Sequence, residues 1–213
     1  VNELGYTKAD YEGSISTLCA GCGHDSISGA IVMACHELSI EPHKIAKLSG
    51  IGCSSKAPTY FLGKSHGFNS VHGRMPSVVT GAAMANRNLL YLGVSGDGDT
   101  ASIGMGQFAH VARRNLNMVY IVMNNGCYGL TKGQVAPTTP TGDKTKSTFW
   151  GNPEPSVDPC ELAISTGATW VARGFSGDMK NLTEMITDGL SHNGFSFLNV
   201  MSPCVTWRGD DQF

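Results

Sequence analysis

The residues with the clearest chemical potential lie in the stretch that begins at Gly96 and ends at Asn125. The tetrapeptide Gly96-Asp97-Gly98-Asp99 follows an apolar run typical of a strand buried on both faces of a parallel sheet. One helix-like segment and one more apolar run later, the chain carries Asn124-Asn125. Because parallel strands end at one edge of an open sheet, the Asp97 carboxylate and the Asn125 amide oxygen should converge there. Such oxygens, with positions left for water and phosphate, predict a Mg²⁺ site that recruits a diphosphate.

The same glycine-rich stretch also matches a dinucleotide-binding fingerprint, G-x-G-x-x-G/A, over residues 96–101. Two features favour the magnesium interpretation. The next strand ends in Asn124-Asn125, where a nicotinamide site would need an acidic residue for the ribose. Asp97 and Asp99 would also face a pyrophosphate without a neutralising cation. An ordinary Gly/Asp turn would explain the tetrapeptide alone, but not an asparagine at the end of the following strand.

Four of the seven cysteines fall in loops or at strand ends. Cys19 and Cys22 form a C-x-x-C pair, Cys53 lies in a glycine-rich loop, and Cys204 follows a strand end. Four thiolates can hold structural Zn²⁺ or a [4Fe–4S] cluster, and the spacing alone does not separate these. Zinc ribbons usually contain two C-x-x-C pairs, so one pair with two isolated cysteines mildly favours the cluster. Buried thiols without a metal are the simplest alternative.

The other cysteines are expected to have different roles. Cys35 falls within an amphipathic helix and Cys160 in the first turn of another, where a small apolar core residue is the expected role. Seven cysteines without secretory features argue against a disulfide framework. We therefore expect a cytoplasmic protein.

Length and charge exclude several classes of protein. With 213 residues, 41% of them hydrophobic, the chain fits one large α/β domain over residues 1–213. A net charge of −2, from 15 basic and 17 acidic residues, predicts neither a nucleic-acid nor a membrane partner.

Strand-like and helix-like patterns alternate along the chain, which predicts a doubly wound, mostly parallel sheet. Strands are predicted over residues 44–49, 89–94, 117–123, 169–172 and 195–201. Helices are predicted from about residue 25, and over residues 76–87, 102–114, 158–167 and 179–192. Residues 126–157 are rich in Gly, Pro and Thr and are predicted to form a functional loop, with residues 128–134 covering the ligand.

Five charged or titratable side chains lie in glycine-rich segments near the predicted edge. His24 and His72 are candidates for proton transfer, against the commoner role of structural hydrogen bonding. Lys56, Arg74 and Lys132 are candidates for anion binding, against the alternative that they are solvated.

A set of motifs occurs in one order along nearly the whole chain and resembles the β subunit of the 2-oxoacid:ferredoxin oxidoreductases. The Gly-Asp-Gly and Asn-Asn pattern alone resembles the thiamine diphosphate signature. The other motifs are Cys19-x-x-Cys22-Gly23-His24, Gly52-Cys53-Ser54-Ser55-Lys56, Tyr128-Gly129-Leu130-Thr131-Lys132-Gly133-Gln134 and Ser202-Pro203-Cys204. Lys132 between Thr131 and Gly133 is most similar to the 2-oxoglutarate type.

The resemblance implies three cofactors. Thiamine diphosphate would be bound through Mg²⁺ on Asp97, Asn125 and the backbone carbonyl of Cys127. Cys19, Cys22, Cys53 and Cys204 would ligate a [4Fe–4S] cluster. The implied cofactor-binding residues are Gly23, His24, Gly96, Asp97, Gly98, Asp99, Asn125, Tyr128, Gly129, Leu130 and Thr131. His24, Lys56 and His72 would be catalytic, and Lys56, Arg74 and Lys132 would bind the substrate.

The implied reaction is the oxidative decarboxylation of a 2-oxoacid, with coenzyme A taking the acyl group and ferredoxin the electrons. The aminopyrimidine of thiamine diphosphate is activated from a second domain, so the resemblance also implies an α subunit carrying a pyrimidine-binding domain in an (αβ)₂ assembly.

Three alternatives stay open at this level. The first is another 2-oxoacid, such as pyruvate, or the same reaction run in reverse. The second is a non-oxidative thiamine decarboxylase or synthase subunit, which would explain Asp97 and Asn125 but not the four cysteines. The third is a zinc-stabilised α/β binding subunit without catalysis.

Overall fold

A parallel sheet forms the centre of the chain in a computed structural model that describes residues 1–209. Its strands are β1 (Ile45–Ser49), β2 (His66–Asn69), β3 (Leu90–Gly96), β4 (Met118–Asn124), β7 (Trp170–Phe175) and β8 (Phe195–Met201). Within the described residues the strand order is β2-β1-β3-β4-β8-β7, and every pair is parallel. A short antiparallel hairpin, β5 (Cys127–Tyr128) with β6 (Gln134–Val135), follows β4.

Helices cover both faces of this sheet. On one face lie α1 (Gly23–Glu37) and α5 (Met179–Ser191), which pack through Ile27, Ile31, Leu182 and Ile186. On the other face lie α2 (Met75–Ala85), α3 (Met105–Arg113) and α4 (Pro159–Ser165). The predicted doubly wound α/β fold is therefore confirmed.

The continuous apolar runs that predicted buried strands pack against both layers. In β4, Ile121 and Met123 face α1 and α5, whereas Tyr120 and Val122 face the other layer. Phe108 of α3 packs edge-on against Tyr120 and Phe197, with ring centroids 5.3 and 4.9 Å apart. Each such fully buried large side chain stabilises the fold by about 2–3 kcal/mol. The packed central strands therefore give rigid support to the residues at their carboxyl ends.

Most predicted elements are present, with shifted ends. Asp158 caps α4 by accepting hydrogen bonds from the backbone amides of Cys160 and Glu161, as predicted. By contrast, α1 begins at Gly23, two residues before the predicted start. The helix predicted from residue 102 begins at Met105, and a wide helical turn over Asp99–Ile103 precedes it.

Several elements were missed by the sequence patterns, among them the hairpin β5–β6, strand β2 and a 3₁₀ helix after β1. Strand β2 is exposed along its whole length at the edge of the sheet, so it carries neither an apolar run nor an alternating pattern. The glycine-rich loop after β1 continues into a 3₁₀ helix over Cys53–Thr59, which contains both Cys53 and Lys56. None of the helices in the described part of the chain is both long enough and apolar enough to cross a membrane.

Candidate functional site

The carboxyl ends of β1, β3 and β4 open onto a cavity of about 300 Å³, here called the central cavity. Of the residues predicted to bind thiamine diphosphate, all except Gly23 line it. His72 and Cys53 line it as well. The fold thus brings together residues that are more than a hundred positions apart in the sequence, as expected for a ligand site at the carboxyl edge of an α/β sheet.

The Asp97 carboxylate is buried at this edge. Its Oδ1 accepts a hydrogen bond from the Asn125 backbone amide at 3.3 Å, and its Oδ2 accepts one from the Thr138 hydroxyl. Burial raises the pKa of Asp97 to about 6, while the hydrogen bonds from Thr138 and Asn125 act in the opposite direction. Burial makes the negative charge of Asp97 costly, and a bound cation would compensate that charge. The environment of Asp97 therefore fits a divalent metal.

The other two predicted Mg²⁺ ligands lie beside Asp97. The Asn125 Oδ1 accepts from the Cys127 amide at 3.2 Å, and the Cys127 carbonyl accepts from the Gly129 amide at 3.1 Å. A carbonyl oxygen has two lone pairs, so one that accepts a hydrogen bond can also bind a metal. In the part of the chain that the structure describes, no three His, Cys, Asp or Glu side chains are grouped to hold a metal ion. The Mg²⁺ ligands and the [4Fe–4S] ligands both stay predictions.

The hairpin β5–β6 lies over the glycine-rich turn. The Tyr128 ring occupies the space where a Cβ at Gly98 would stand, and its hydroxyl donates to the Gly98 carbonyl at 3.2 Å. At the tip of the hairpin, Lys132 has a φ of 81°, a left-handed conformation that is unfavourable for a residue with a Cβ. The predicted covering role of residues 128–134 stays a prediction, but their position beside the cavity is what that role requires.

The two candidate histidines differ in environment. His24 is buried, and its Nδ1 forms a hydrogen bond with the Ser202 hydroxyl at 2.8 Å. Burial lowers the pKa of His24 to about 4, so its imidazole is neutral. His72 lines the same cavity and is exposed. Sequence patterns missed Ser202 and Thr138 as partners of site residues, because each meets its partner only through the fold.

The four predicted cluster ligands line a second cavity of about 250 Å³, here called the thiol cavity. Cys53 borders both cavities, so the two share a boundary. A Cβ at Gly129 would stand 3.4 Å from the Cys53 sulfur and 3.7 Å from the Cys204 sulfur, so the hairpin packs in van der Waals contact with the thiols. Four thiols around one cavity are a ligand set that a [4Fe–4S] cluster can use, and the cluster itself stays a prediction.

The thiols of the thiol cavity are not equivalent. A hydrogen bond from the Cys127 thiol lowers the pKa of Cys204, and backbone amides of Trp207 and Thr206 act in the same direction. Burial raises the pKa of Cys22 to about 11. Cys35 of α1 is fully buried in the core, as predicted. Cys160 of α4 is partly buried and packs against the core on the other face of the sheet.

The three candidate substrate-binding cations are exposed, and none of them lines the central cavity. Arg74 and Lys132 are close in sequence to residues that do, namely His72 and Thr131. Lys56 instead lines the thiol cavity, where its ammonium group donates to the Thr17 hydroxyl at 3.4 Å. Of the three, Lys56 is thus the one placed with the cysteines.

Comparisons with known proteins agree with this geometry. Residues 50–200 match the family model described as thiamine pyrophosphate enzyme, C-terminal TPP binding domain. The chain is 42% identical over 190 residues to the 2-oxoacid:ferredoxin oxidoreductase subunit beta of Saccharolobus solfataricus, covering 89% of this chain and 62% of that one. It is 39% identical over 191 residues to the 2-oxoglutarate synthase subunit KorB of Methanocaldococcus jannaschii, covering 90% and 70%.

A solved structure supports the same relationship. It is described as 2-oxoglutarate:ferredoxin oxidoreductase from Magnetococcus marinus with 2-oxoglutarate, coenzyme A and succinyl-CoA bound. It superimposes with a TM-score of 0.92 at 40% identity, over 96% of this chain and 70% of that one.

The chain spans 62% of the length of the Saccharolobus solfataricus relative. The matched region nevertheless contains the Gly-Asp-Gly turn, the Asn-Asn pair and the cavity between them. The chain belongs to the β-subunit family of the 2-oxoacid:ferredoxin oxidoreductases, and its fold is that of the C-terminal TPP-binding domain of thiamine pyrophosphate enzymes.

Proposed function

We propose that this chain is the thiamine diphosphate-binding part of a CoA-acylating 2-oxoacid:ferredoxin oxidoreductase whose substrate is 2-oxoglutarate. The observation that carries the proposal is the shared boundary of two cavities: one lined by Asp97 and Asn125, the other by four cysteines, with Cys53 bordering both. A non-oxidative thiamine enzyme would need only the first cavity.

In the central cavity, Asp97, Asn125 and the Cys127 carbonyl would hold Mg²⁺, which would in turn bind the diphosphate. Gly98 leaves room for the Tyr128 ring, and Tyr128 keeps the turn in place through the Gly98 carbonyl. When bound, thiamine diphosphate supplies the electron sink needed to break the bond beside a keto group. Ser202 holds one ring nitrogen of His24, so the other nitrogen is the one available to a ligand.

In the thiol cavity, Cys19, Cys22, Cys53 and Cys204 would ligate a [4Fe–4S] cluster. Such a cluster accepts single electrons, which a decarboxylase does not need and an oxidoreductase using ferredoxin does. Its ligands come from both ends of the chain, so cluster assembly and folding should be coupled. Zinc on the same thiolates would favour the non-catalytic alternative.

The choice of 2-oxoglutarate rests on the names of the relatives and on the cations near the central cavity. Thiamine chemistry does not depend on the distal group of the substrate, so selectivity requires a positive group beyond the keto acid. Three exposed cations, Lys56, Arg74 and Lys132, lie one or two positions in sequence from its lining residues, and Lys56 also lines the thiol cavity. A charge-assisted hydrogen bond contributes about 1.5–3 kcal/mol, which is roughly ten- to a hundred-fold in relative efficiency.

This substrate assignment is tested with Arg74→Met, Lys132→Met and Lys56→Met in the assembled complex. We expect the first two to lower the ratio of kcat/KM for 2-oxoglutarate over pyruvate by roughly ten- to a hundred-fold, and Lys56→Met to lower it less. A wild type that prefers pyruvate, or three unchanged ratios, would contradict the assignment.

The partner and the compartment are part of the proposal. An α subunit would supply the pyrimidine-binding domain and complete the active site at the interface of an (αβ)₂ complex. The described cysteines form no disulfide, as in proteins of a reducing compartment, and we place the complex in the cytoplasm.

The direct test is anaerobic co-purification with the natural partner subunit, followed by iron, sulfide, magnesium and thiamine analysis. CoA-dependent reduction of ferredoxin is then measured with 2-oxoglutarate and with pyruvate. Thiamine without iron or sulfide would indicate a non-oxidative enzyme. Zinc without thiamine would indicate a binding subunit.

A further inference from the structure

We propose that Asp99 is a positioning residue, whose carboxylate fixes the turn His72-Gly73-Arg74 beside the central cavity and thereby sets the recognition of the substrate. The resemblance places Asp99 among the residues that bind thiamine diphosphate, whereas its hydrogen bonds connect it to this turn. The part of the inference that concerns the substrate rests on the proposed function, and the part that concerns the turn does not.

Both carboxylate oxygens of Asp99 accept hydrogen bonds from within the protein. Oδ1 accepts from the Gly73 backbone amide at 2.7 Å, and Oδ2 accepts from the Ser95 hydroxyl at 2.7 Å. The side chain is 96% buried, since only 4% of its surface is exposed. Hydrogen bonds to an ionised acceptor are shorter and about twice as strong as neutral ones, so this connection is stronger than an ordinary loop contact.

The backbone around Asp99 is packed too closely for side chains. A Cβ at Gly50, the residue after β1, would overlap the Asp99 and Ser95 side chains. Gly73 has a φ of +66°, and a Cβ there would stand 2.6 Å from the Gly104 amide nitrogen. Three segments therefore meet at Asp99: the end of β1, the end of β3 and the turn before α2.

The turn fixed in this way carries two candidate functional side chains. His72 lines the central cavity, and Arg74 lies on the other side of Gly73, where its guanidinium donates to the Gly73 and Ile103 carbonyls at 3.4 Å. Residue Asp97, by contrast, contacts Asn125 and Thr138. The two carboxylates of one tetrapeptide thus contact different segments: Asp97 contacts the end of β4 and the loop after β6, and Asp99 contacts the turn before α2.

The test compares wild type, Asp99→Ala and Asp99→Asn in the assembled complex. The Asn side chain keeps an oxygen for the Gly73 amide and an NH₂ group for Ser95, so it should retain a weaker connection. Hydrogen–deuterium exchange of a peptide covering residues 70–76 reports on the Gly73 amide. Steady-state kinetics with 2-oxoglutarate report on substrate recognition. Titration of thiamine diphosphate in the presence of Mg²⁺ reports on cofactor binding.

We expect exchange of the 70–76 peptide and KM for 2-oxoglutarate to rise in the order wild type, Asn, Ala. The rise for Ala should be on the order of tenfold, the factor that about 1.4 kcal/mol represents. Affinity for thiamine diphosphate should not change. As a matched control, Asp178→Ala removes a carboxylate that also accepts from a backbone amide, that of Asn181, but at the start of α5. It should leave all three measurements unchanged.

Several results would overturn the proposal. A wild-type exchange rate in the Asp99 variants would show that the carboxylate does not hold the turn. Faster exchange with unchanged KM would show that the turn does not affect substrate recognition. A loss of thiamine diphosphate affinity like that of an Asp97 variant would return Asp99 to the cofactor site. If Asp99→Ala does not assemble, the comparison of Asn with wild type decides in the same way.

The proposed function can fail separately. A wild-type complex that turns over no 2-oxoacid would refute that function. The exchange measurement alone would then uphold or overturn the role of Asp99 in the turn.

Discussion

Burial, rather than the type of side chain, decides what the ionisable residues of this chain can do. Asp97 and Asp99 belong to one tetrapeptide and both are buried, yet they contact different segments. Asp97 has its pKa raised to about 6 by burial, which makes it a carboxylate that a cation would stabilise. Lys47, in the centre of β1, shows the same effect with the opposite charge, since burial lowers its pKa to about 8.

Replacement of Asp97 by Asn should abolish tight binding of Mg²⁺ and thiamine diphosphate while the fold stays intact. The Asn side chain has nearly the same shape but lacks the charge that a divalent cation needs. Calorimetric titration of the complex measures the affinity, and circular dichroism measures the fold. Unchanged affinity would show that Asp97 is not the metal ligand. Asp178→Asn serves as a control that removes a comparable charge from the start of α5.

Lys47 should make the stability of the chain rise with pH. Its ammonium group donates to the Phe61 and Leu62 carbonyls at 2.5 and 2.8 Å, which only partly offset the cost of burying the charge. The folded pKa of about 8 lies below the unfolded value of 10.5, so the unfolded chain binds more protons between these values. The free energy of unfolding therefore rises as the pH rises from about 8 to 10.5. This gain is complete above pH 10.5 and is lost again as the pH falls below about 8.

The measurement is the difference in unfolding free energy between wild type and Lys47→Met, from denaturant titrations under reducing conditions. Titration of other groups cancels in this difference. It should change in favour of wild type by on the order of 2–3 kcal/mol from pH 8 to pH 10.5. A difference that does not depend on pH would show that folding does not lower the pKa of Lys47.

At the scale of elements, strand ends and the loops after them form the site, while helices supply the core. The four thiols of the thiol cavity come from the segment before α1, the 3₁₀ helix after β1 and the segment after β8. Cys35 and Cys160 lie in α1 and α4 and pack against the two core layers. Gly129 of the hairpin β5–β6 borders both cavities and lies close to the Cys53 and Cys204 sulfurs.

This sorting predicts how cysteine variants differ. Cys53→Ser or Cys204→Ser should remove the visible absorbance of the complex and its electron transfer to ferredoxin, because each deletes a proposed cluster ligand. Cys35→Ser and Cys160→Ser should keep both, with a loss of stability in Cys35→Ser from burying a hydroxyl group. Absorbance spectra and iron analysis of anaerobically purified complexes provide the measurement. Equal behaviour of all four variants would refute the sorting.

At the scale of the whole molecule, several large apolar side chains are exposed, and one of them, Leu130, lies at the site. Leu130, which lines the central cavity, is 53% exposed, and the paired rings of Phe149 and Trp150 are 68% and 70% exposed. Exposed apolar surface of this kind marks interaction sites. Such a surface is consistent with a cavity that is completed by another subunit.

The chain without its partner should therefore bind thiamine diphosphate weakly and turn over no 2-oxoacid. Adding the subunit with the pyrimidine-binding domain should restore turnover and raise thiamine affinity by at least about tenfold, since the partner encloses the cofactor and excludes water. Calorimetry and a ferredoxin reduction assay, with and without the partner, test this. Turnover by the chain alone would show that its site is complete.

Local sequence patterns determined the parts of this protein whose physical cause is itself local. Continuous apolar runs predicted β3 and β4 to within two residues, and the strand-like patterns of β1 and β8 predicted those strands equally closely. Asp158 before Pro159 predicted a helix start, because a cap and a fixed φ act within one turn. The Gly-Asp-Gly turn and the Asn-Asn pair predicted a common edge, because strand ends of one parallel sheet must meet there.

Tertiary structure alone decided which side chains contact one another. Thr138 meets Asp97, Ser202 meets His24, and the Gly73 amide meets Asp99 across separations that no periodicity encodes. The exposed strand β2 was missed because an edge strand without a buried face needs no apolar pattern. Lysine in a strand usually indicates solvent, yet Lys47 is buried because the chain around Phe61 and Leu62 folds over it. Burial and hydrogen-bond partners are properties of the packed chain, so they appear only once the layers have come together.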